Sequence, residues 1–343
     1  MTATNFTVGE RRVGVDAPVF IIAEIGVNHD GDEAACVRLI DAAADAGADA
    51  AKLQIVDADE SYVAGSLSHT TFKDRALSAE AIIRLRDHAQ AKGIILFATP
   101  GDFNSLAILQ QSGLPAIKIS SGLLTNLPLI KKAAATGLPM IMSSGMADLG
   151  DVEVALKAAR EAGAKDLAIL QCTSIYPTPA EHVHLRVIGQ MENLFGIPAG
   201  YSDHSMGSLA CVAATAAGAR ILEKHITLDR TIPGADHAIS ALPEEFADMV
   251  RQVRTVEIMM GSQDKTPTPE EAEKRSGLHR CLVARRAIKA GETLDAGAVG
   301  LKRPLPGTRG MDANKYEAVL GRRAKHDLAL DRPIEEEDLE PLS

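Results

Sequence analysis

The stretch "VFIIAEIGVNHDGDEAACVRLIDAAADAGADAAKLQI" (residues 19–55) decides how the rest of the chain is read. It opens on a short apolar run, "VFIIAEIG" (19–26). A polar, glycine-containing turn leads into "EAACVRLIDAAADAG", where apolar positions recur at helical spacing and Gly47 ends the run. A second short apolar run, "DAAKLQI" (49–55), follows at once. The pattern predicts strand, helix, strand.

Working outward, the same unit recurs. Further strand candidates are residues 93–99, 116–120, 139–144, 167–173, 198–202 and 220–225. "SAEAIIRLRDHAQAKG" and "DVEVALKAAREAG" repeat the helix form of polar cap, amphipathic body and closing glycine. Eight strand candidates alternating with about eight helices mean parallel strands joined by crossover helices. The expected fold is α/β, a closed (β/α)8 barrel rather than an open doubly wound sheet. No Gly-x-Gly-x-x-Gly follows the first strand, so a dinucleotide site has no support.

The last barrel helix is expected at 243–260. "GSQDKTPTPEEAEKRSG" is polar and proline-containing and reads as a linker. Beyond it, "IKAGETLDAGAV" and "LALDRPIEEEDL" look like weak copies of one half-module. The expected division is a barrel over 1–262, a linker over 263–280 and a small second domain over 281–343.

Bulk properties narrow the function. The 343 residues are 46% hydrophobic and 24% charged, with a net charge of −10, which argues against a nucleic-acid partner. A local pocket can still be basic. Four scattered cysteines suit a reducing compartment. No signal-peptide core and no apolar run of about 20 residues is present, so a cytoplasmic protein without membrane contact is expected.

In a (β/α)8 barrel the site lies where the strands end. The strand ends carry Glu24; Lys52 and Gln54; Thr99; Lys118, Ser120 and Ser121; Ser143 and Ser144; Thr173, Ser174 and Tyr176; Ser202, Asp203 and His204; Glu223 and His225. Two lysines among hydroxyls suit a phosphate ester. A lysine in an apolar strand is rarely structural, because its charge would be buried unpaired. Two histidines on adjacent strands can share one divalent ion, with carboxylates completing its shell, although a lone histidine at a strand end is commonly structural. Cys172 reads as a small core residue rather than a nucleophile. His29, in "GVNHDGD", is either a ligand or loop polarity.

"AEIGVNHDGD", "AKLQ", "KISSG", "MSSGM", "QCTSIYPTP", "GYSDHSMG" and "ILEKHITLDRTIPGADH" occur in the order found in the sialic acid synthase family, and the chain resembles that family over nearly its whole length. The tail resembles the antifreeze-like (SAF) domain that closes those enzymes. The resemblance implies condensation of phosphoenolpyruvate with an N-acetylated amino sugar, giving a nine-carbon α-keto acid and phosphate. It implies that Lys52, Thr99, Lys118, Ser121, Ser143 and Ser202 hold phosphoenolpyruvate. His204 and His225 would bind Mn2+ or Mg2+, and Glu24, Gln54, Tyr176, Glu223 and Asp236 would face the sugar or the reacting centre, with Glu24 or Glu223 handling protons. It also implies a homodimer whose second domain crosses to the partner barrel and supplies Arg303, in "LKRP".

Three positions depart from the family pattern. Leu123 stands where many members carry an acid, Ser174 where an asparagine precedes Ile-Tyr-Pro, and Gly101 where an aromatic is common. Read as sugar contacts, they predict a substrate less hydroxylated than N-acetylmannosamine, such as a 6-deoxy diacetamido hexose. The alternatives are a sugar 6-phosphate, for which Lys73 and Arg75 offer charge, a non-catalytic carbohydrate- or ice-binding protein, and a Schiff-base aldolase.

Overall fold

The structure is a computed structural model and describes residues 5–234 and 236–341. The chain divides into two compact units, Met1–Gly261 and Ser262–Ser343. The first begins with a hairpin, β1 (Phe6–Val8) and β2 (Arg11–Val13). Eight parallel strands then close into a barrel: β3 (Phe20–Gly26), β4 (Ala50–Ile55), β5 (Ile95–Pro100), β6 (Ile117–Ile119), β7 (Met140–Ser143), β8 (Leu167–Cys172), β9 (Ala199–Asp203) and β10 (Ile221–His225). Each lies within a residue or two of its predicted span.

The helices of this unit are α1 (Glu33–Asp45), α2 (Ala58–Ser61), α3 (Leu67–Lys73), α4 (Ala79–Ala91), α5 (Phe103–Gln111), α6 (Leu127–Ala134), α7 (Leu149–Glu161), α8 (Arg186–Phe195), α9 (Leu209–Ala216) and α10 (Pro243–Met260). Most start on a side-chain cap, such as Asp32, Ser78, Asp102, Asn126 and Asp148.

Strand alternation sorts the side chains into two cores. Ile21, Ala23, Leu53, Leu96, Ile117, Met142, Ile169, Ala199 and Leu222 face outward and pack under the helices. Phe20, Ile22, Ala50, Phe97, Ala116, Ile141, Ala168, Leu170 and Ile221 face inward and fill the barrel's lower half. Phe6, Val8 and Val13 of the hairpin join that inner cluster and close the N-terminal end. The same inward rows continue upward as Glu24, Lys52, Thr99, Lys118, Ser143, Ser202 and Glu223, all buried. The barrel is therefore apolar below and polar above. Asp203, read from the sequence as a rim residue, falls on the opposite parity: it is buried on the outer face, paired with Lys224.

In the second unit, β11 (Cys281–Ala284) pairs antiparallel with β12 (Val299–Lys302). The two half-modules are joined by reciprocal hydrogen bonds of 2.9 Å between Ile288 and Leu328. Their equivalent residues Leu294 and Ile334, and Val299 and Leu339, share one core. Within the span expected to be a linker, Pro269–Leu278 forms a helix, α11. Thr268 caps it, with Glu271 returning the bond to the Thr268 backbone. The cap and Pro269 are legible in "TPEE"; the helix carries no buried apolar stripe, which is why its sequence reads as a linker.

Candidate active site

The upper ends of the barrel strands enclose a cavity of about 380 Å³. Its lining includes Glu24, Lys52, Gln54, Lys118, Ser121, Ser143, Tyr176, Ser202, His204, Glu223 and His225. The site thus gathers most of the residues that the strand ends nominated.

The deepest layer is charged. Lys52 Nζ lies 2.5 Å from Glu24 Oε2 and 3.6 Å from Glu223 Oε2. It also donates to Thr99 Oγ1 at 3.3 Å. Lys118 Nζ donates to Glu223 Oε1 at 3.0 Å, and Ser202 Oγ donates to the same oxygen at 2.9 Å. Gln54 Nε2 donates to Glu24 Oε1 at 3.1 Å. Two ammonium groups and two carboxylates therefore balance each other in a buried layer, where an unpaired charge would be costly.

The protonation preferences follow from this packing. Burial alone would raise the Glu223 carboxyl, but Lys118 and Lys52 outweigh it and hold it at about 2. Burial also works against the Lys52 charge, and Glu223 with Glu24 outweighs it, raising its pKa. Lys118 goes the other way: burial, with Lys52 adding to it, outweighs Glu223 and lowers it.

Above this layer stand the imidazoles, ring centres 5.5 Å apart. His204 Nδ1 donates to the Thr173 carbonyl at 2.9 Å, so the neutral ring keeps a lone pair on Nε2. Burial of that ring is outweighed by Cys172, Thr173 and Glu223, which raise its pKa, so a cation there would compete with a proton. His225 Nδ1 is buried without a hydrogen-bond partner and lies 3.8 Å from Asp236 Oδ2. Burial lowers the His225 pKa against the opposing pull of Asp236 and Glu24, favouring the neutral ring that a metal ligand requires. These donors fit a divalent cation. Among the described residues no group of three or more His, Cys, Asp or Glu side chains is placed to hold a metal ion, so a cation here would rest on the two imidazoles as its protein ligands.

Tyr176 stacks on His204 with ring centres 4.0 Å apart and is half exposed, so it forms the outer wall. Ser143 Oγ and Ser174 Oγ are buried in the lining without partners, as expected of groups that wait for a ligand. Ser121 Oγ accepts from Gly145 N at 3.0 Å. A Cβ on Gly145 would come within 2.3 Å of Ser174 Oγ and 2.6 Å of Ser121 Oγ, so this approach requires glycine.

Several nominated residues do other work. Ser144 Oγ donates to the Leu170 carbonyl, and Thr173 Oγ1 donates to the His182 carbonyl. Leu123 packs against the helix-facing core and does not line the cavity. His29 is buried in the β3–α1 loop, its Nδ1 accepting from Gly31 N, and it is outside the lining. Cys172 does line the cavity, with its sulfur 3.8 Å from His204 Nδ1. Arg303 follows β12 and is exposed on the second unit. Sequence reasoning missed Met146, an exposed cavity-wall residue held at φ 65°; only the quoted "SSGM" pointed toward it.

The NeuB family profile matches residues 39–265, and the SAF domain profile matches 279–340. The N,N'-diacetyllegionaminic acid synthase of Campylobacter jejuni is 36% identical, covering 92% of this chain and 98% of its own. The N-acetylneuraminate-9-phosphate synthase of Mus musculus is 35% identical over 97% and 96%. Among solved structures, the N-acetylneuraminic acid (sialic acid) synthetase of Leptospira borgpetersenii in complex with citrate matches with a TM-score of 0.76 and 35% identity, over 80% of this chain and 95% of that one. A closed barrel with this polar mouth, followed by the matched second module, leads to one assignment: the chain belongs to the NeuB family and carries a C-terminal SAF domain.

Proposed function

We propose that this chain condenses phosphoenolpyruvate with an N-acetylated amino sugar, releasing phosphate and forming a nine-carbon sialic-acid-like α-keto acid. The observation that carries the reading is the buried Lys52–Glu24–Glu223–Lys118 layer set directly under two imidazoles. That layer is charge-neutral by itself. Phosphoenolpyruvate adds a carboxylate and a phosphate, the latter of about −1.5 to −2 at neutral pH. A divalent cation and one guanidinium supply the matching positive charge, which supports His204 and His225 as ligands of Mn2+ or Mg2+ and Arg303 as the closing group.

In this reading Lys52 and Lys118 hold the phosphate and carboxylate, with Thr99, Ser121, Ser143 and Ser202 as short donors. The bound cation supplies Lewis acidity toward the sugar carbonyl. C3 of the enol bonds to the aldehyde carbon, water adds at C2, and phosphate leaves by C–O cleavage. Glu24 or Glu223, the two carboxylates of the layer, handles the proton from that water. Gln54 and Tyr176 border the space left for the sugar, and Asp236, outside the lining, reaches it only through His225.

A sugar without a 6-phosphate is supported by the state of the two nearby cations, Arg75 and Lys73. Arg75 is engaged by Asp30 at 2.7 Å and Lys73 by Asp59 at 3.4 Å. With Leu123 turned to the core, the case for a 6-deoxy diacetamido hexose rests on Ser174 and on the apolar Met146 wall. Phosphate release with phosphoenolpyruvate and Mn2+ tests both points. The deoxy diacetamido sugar is expected to exceed N-acetylmannosamine and its 6-phosphate by about tenfold, the size of one well-placed apolar contact. Preference for the 6-phosphate reverses the assignment; no release with any sugar removes the synthase reading in favour of a binding protein. Chelator-resistant turnover of pyruvate would mark a Schiff-base aldolase.

Arg303 is proposed to act across a homodimer, entering the partner subunit's barrel. Arg303→Ala and Lys118→Met are each expected to be nearly inactive. Co-refolded in equal amounts, they should regain about a quarter of parental activity, because each mixed dimer holds one intact site of two. No recovery places the arginine within its own chain's site or outside the site altogether.

A further inference from the structure

Behind the two imidazoles, on the outer face of the same strands, lies an ion pair that the proposed chemistry does not touch. Lys224 Nζ donates to Asp203 Oδ2 at 2.6 Å, with side chains 3% and 0% exposed. Asp203 Oδ1 accepts from Tyr201 OH at 3.1 Å and from Ser205 N at 2.8 Å. Lys224 Nζ also donates to the Ser205 carbonyl at 2.9 Å. Both backbone groups of Ser205, the residue after His204, are therefore clamped, one from β9 and one from β10.

The backbone ladder between these strands runs through Leu222–Tyr201, Glu223–Ser202 and Lys224–Asp203 and stops there. His204 and His225 come one residue later. Each is tied on its far side, His204 to Thr173 and Thr178, and His225 to Glu24 on β3. Across the gap between them, the last ties are the two bonds of the Lys224 ammonium, to the Asp203 carboxylate and to the Ser205 carbonyl. Stability is a weak reason for such a pair, since desolvating two charges offsets much of their attraction and apolar replacements are often neutral.

We infer that Asp203 and Lys224 are positioning residues whose ion pair sets the spacing at which His204 and His225 take a divalent cation. The inference rests on the reading of the two histidines as metal ligands. Outer-sphere partners of metal ligands typically govern affinity in this indirect way.

The test is calorimetric titration of Mn2+ into the metal-free protein, comparing the parent with Asp203→Asn/Lys224→Met. Asparagine keeps an acceptor for Ser205 N, methionine keeps the bulk of the lysine stem, and no charge is left buried alone. Mn2+ affinity is expected to fall about 10–100-fold. The melting midpoint and the metal-free affinity for phosphoenolpyruvate should stay close to parental. A folded double variant that binds Mn2+ within about twofold of the parent overturns the inference. If the double variant does not fold, Tyr201→Phe removes one donor to Asp203 at little cost to packing. It should weaken Mn2+ binding about threefold without moving the melting midpoint, and unchanged affinity overturns the inference equally. His225→Ala is the control: Mn2+ binding as tight as the parent's would remove the ligand assignment itself, and this inference with it.

Discussion

His225→Ala is expected to lower metal-dependent phosphate release by about 10³-fold or more, since Lewis acid assistance contributes several kcal/mol and each 1.36 kcal/mol is tenfold. The fold should survive. His225 Nδ1 makes no hydrogen bond to the protein, so its removal orphans no buried partner at that atom. The destabilisation is that of truncating one buried ring, about 1–3 kcal/mol. Circular dichroism melting beside a phosphate-release assay at saturating Mn2+ separates the two effects. A variant with turnover within tenfold of the parent shows that His225 is not a ligand that matters.

Glu223→Leu is expected to be the most destabilising single change at the mouth. Glu223 is the shared anion of the layer: Lys118 and Ser202 donate to one oxygen and Lys52 approaches the other. Its loss leaves two buried ammonium groups with Glu24 alone. Breaking a buried pair in this way costs about 3–5 kcal/mol. An anion should then stabilise the variant, so phosphate or phosphoenolpyruvate should raise its melting midpoint more than the parent's. The pH dependence has a definite sign. The Glu223 carboxyl is held at about 2, below its ordinary 4.5, by Lys118 and Lys52 against the opposing effect of burial. Its stabilisation is therefore complete above pH 4.5 and is lost as pH falls toward 2. The parent should lose stability across that window, and Glu223→Leu should lack this part of the loss. A variant that melts with the parent in both respects removes Glu223 from the centre of the charge network.

Much of this was legible in the sequence because barrel strands are short, apolar and regularly spaced. The alternation of "VFIIAEIG", "EAACVRLIDAAADAG" and "DAAKLQI" yields β3, α1 and β4 directly. The lysines stood out for an equally physical reason: Lys52 and Lys118 sit in apolar runs where a charge needs partners, and the structure supplies Glu24 and Glu223. What escaped was parity. Ser202 and His204 point inward, as do Glu223 and His225, so Asp203 and Lys224 between them must point outward; counting by strand ends alone put Asp203 on the rim. Leu123 illustrates a different limit, because the direction of a side chain in a short 3-10 turn follows no simple period. The β1–β2 hairpin was also missed, for "FTVGERRV" is too brief to announce itself without the barrel floor it covers. Helix α11 escaped because it buries no apolar face.

That hairpin governs traffic. Phe6, Val8 and Val13 cap the apolar fill of the lower barrel, so the cavity has a floor and lies toward the strand ends, where Tyr176 is half exposed. In a floored cavity the deeper occupant is seated first. Under the proposed condensation, phosphoenolpyruvate at the lysines is expected to enter before the sugar beside Tyr176, and the product to leave on that same side.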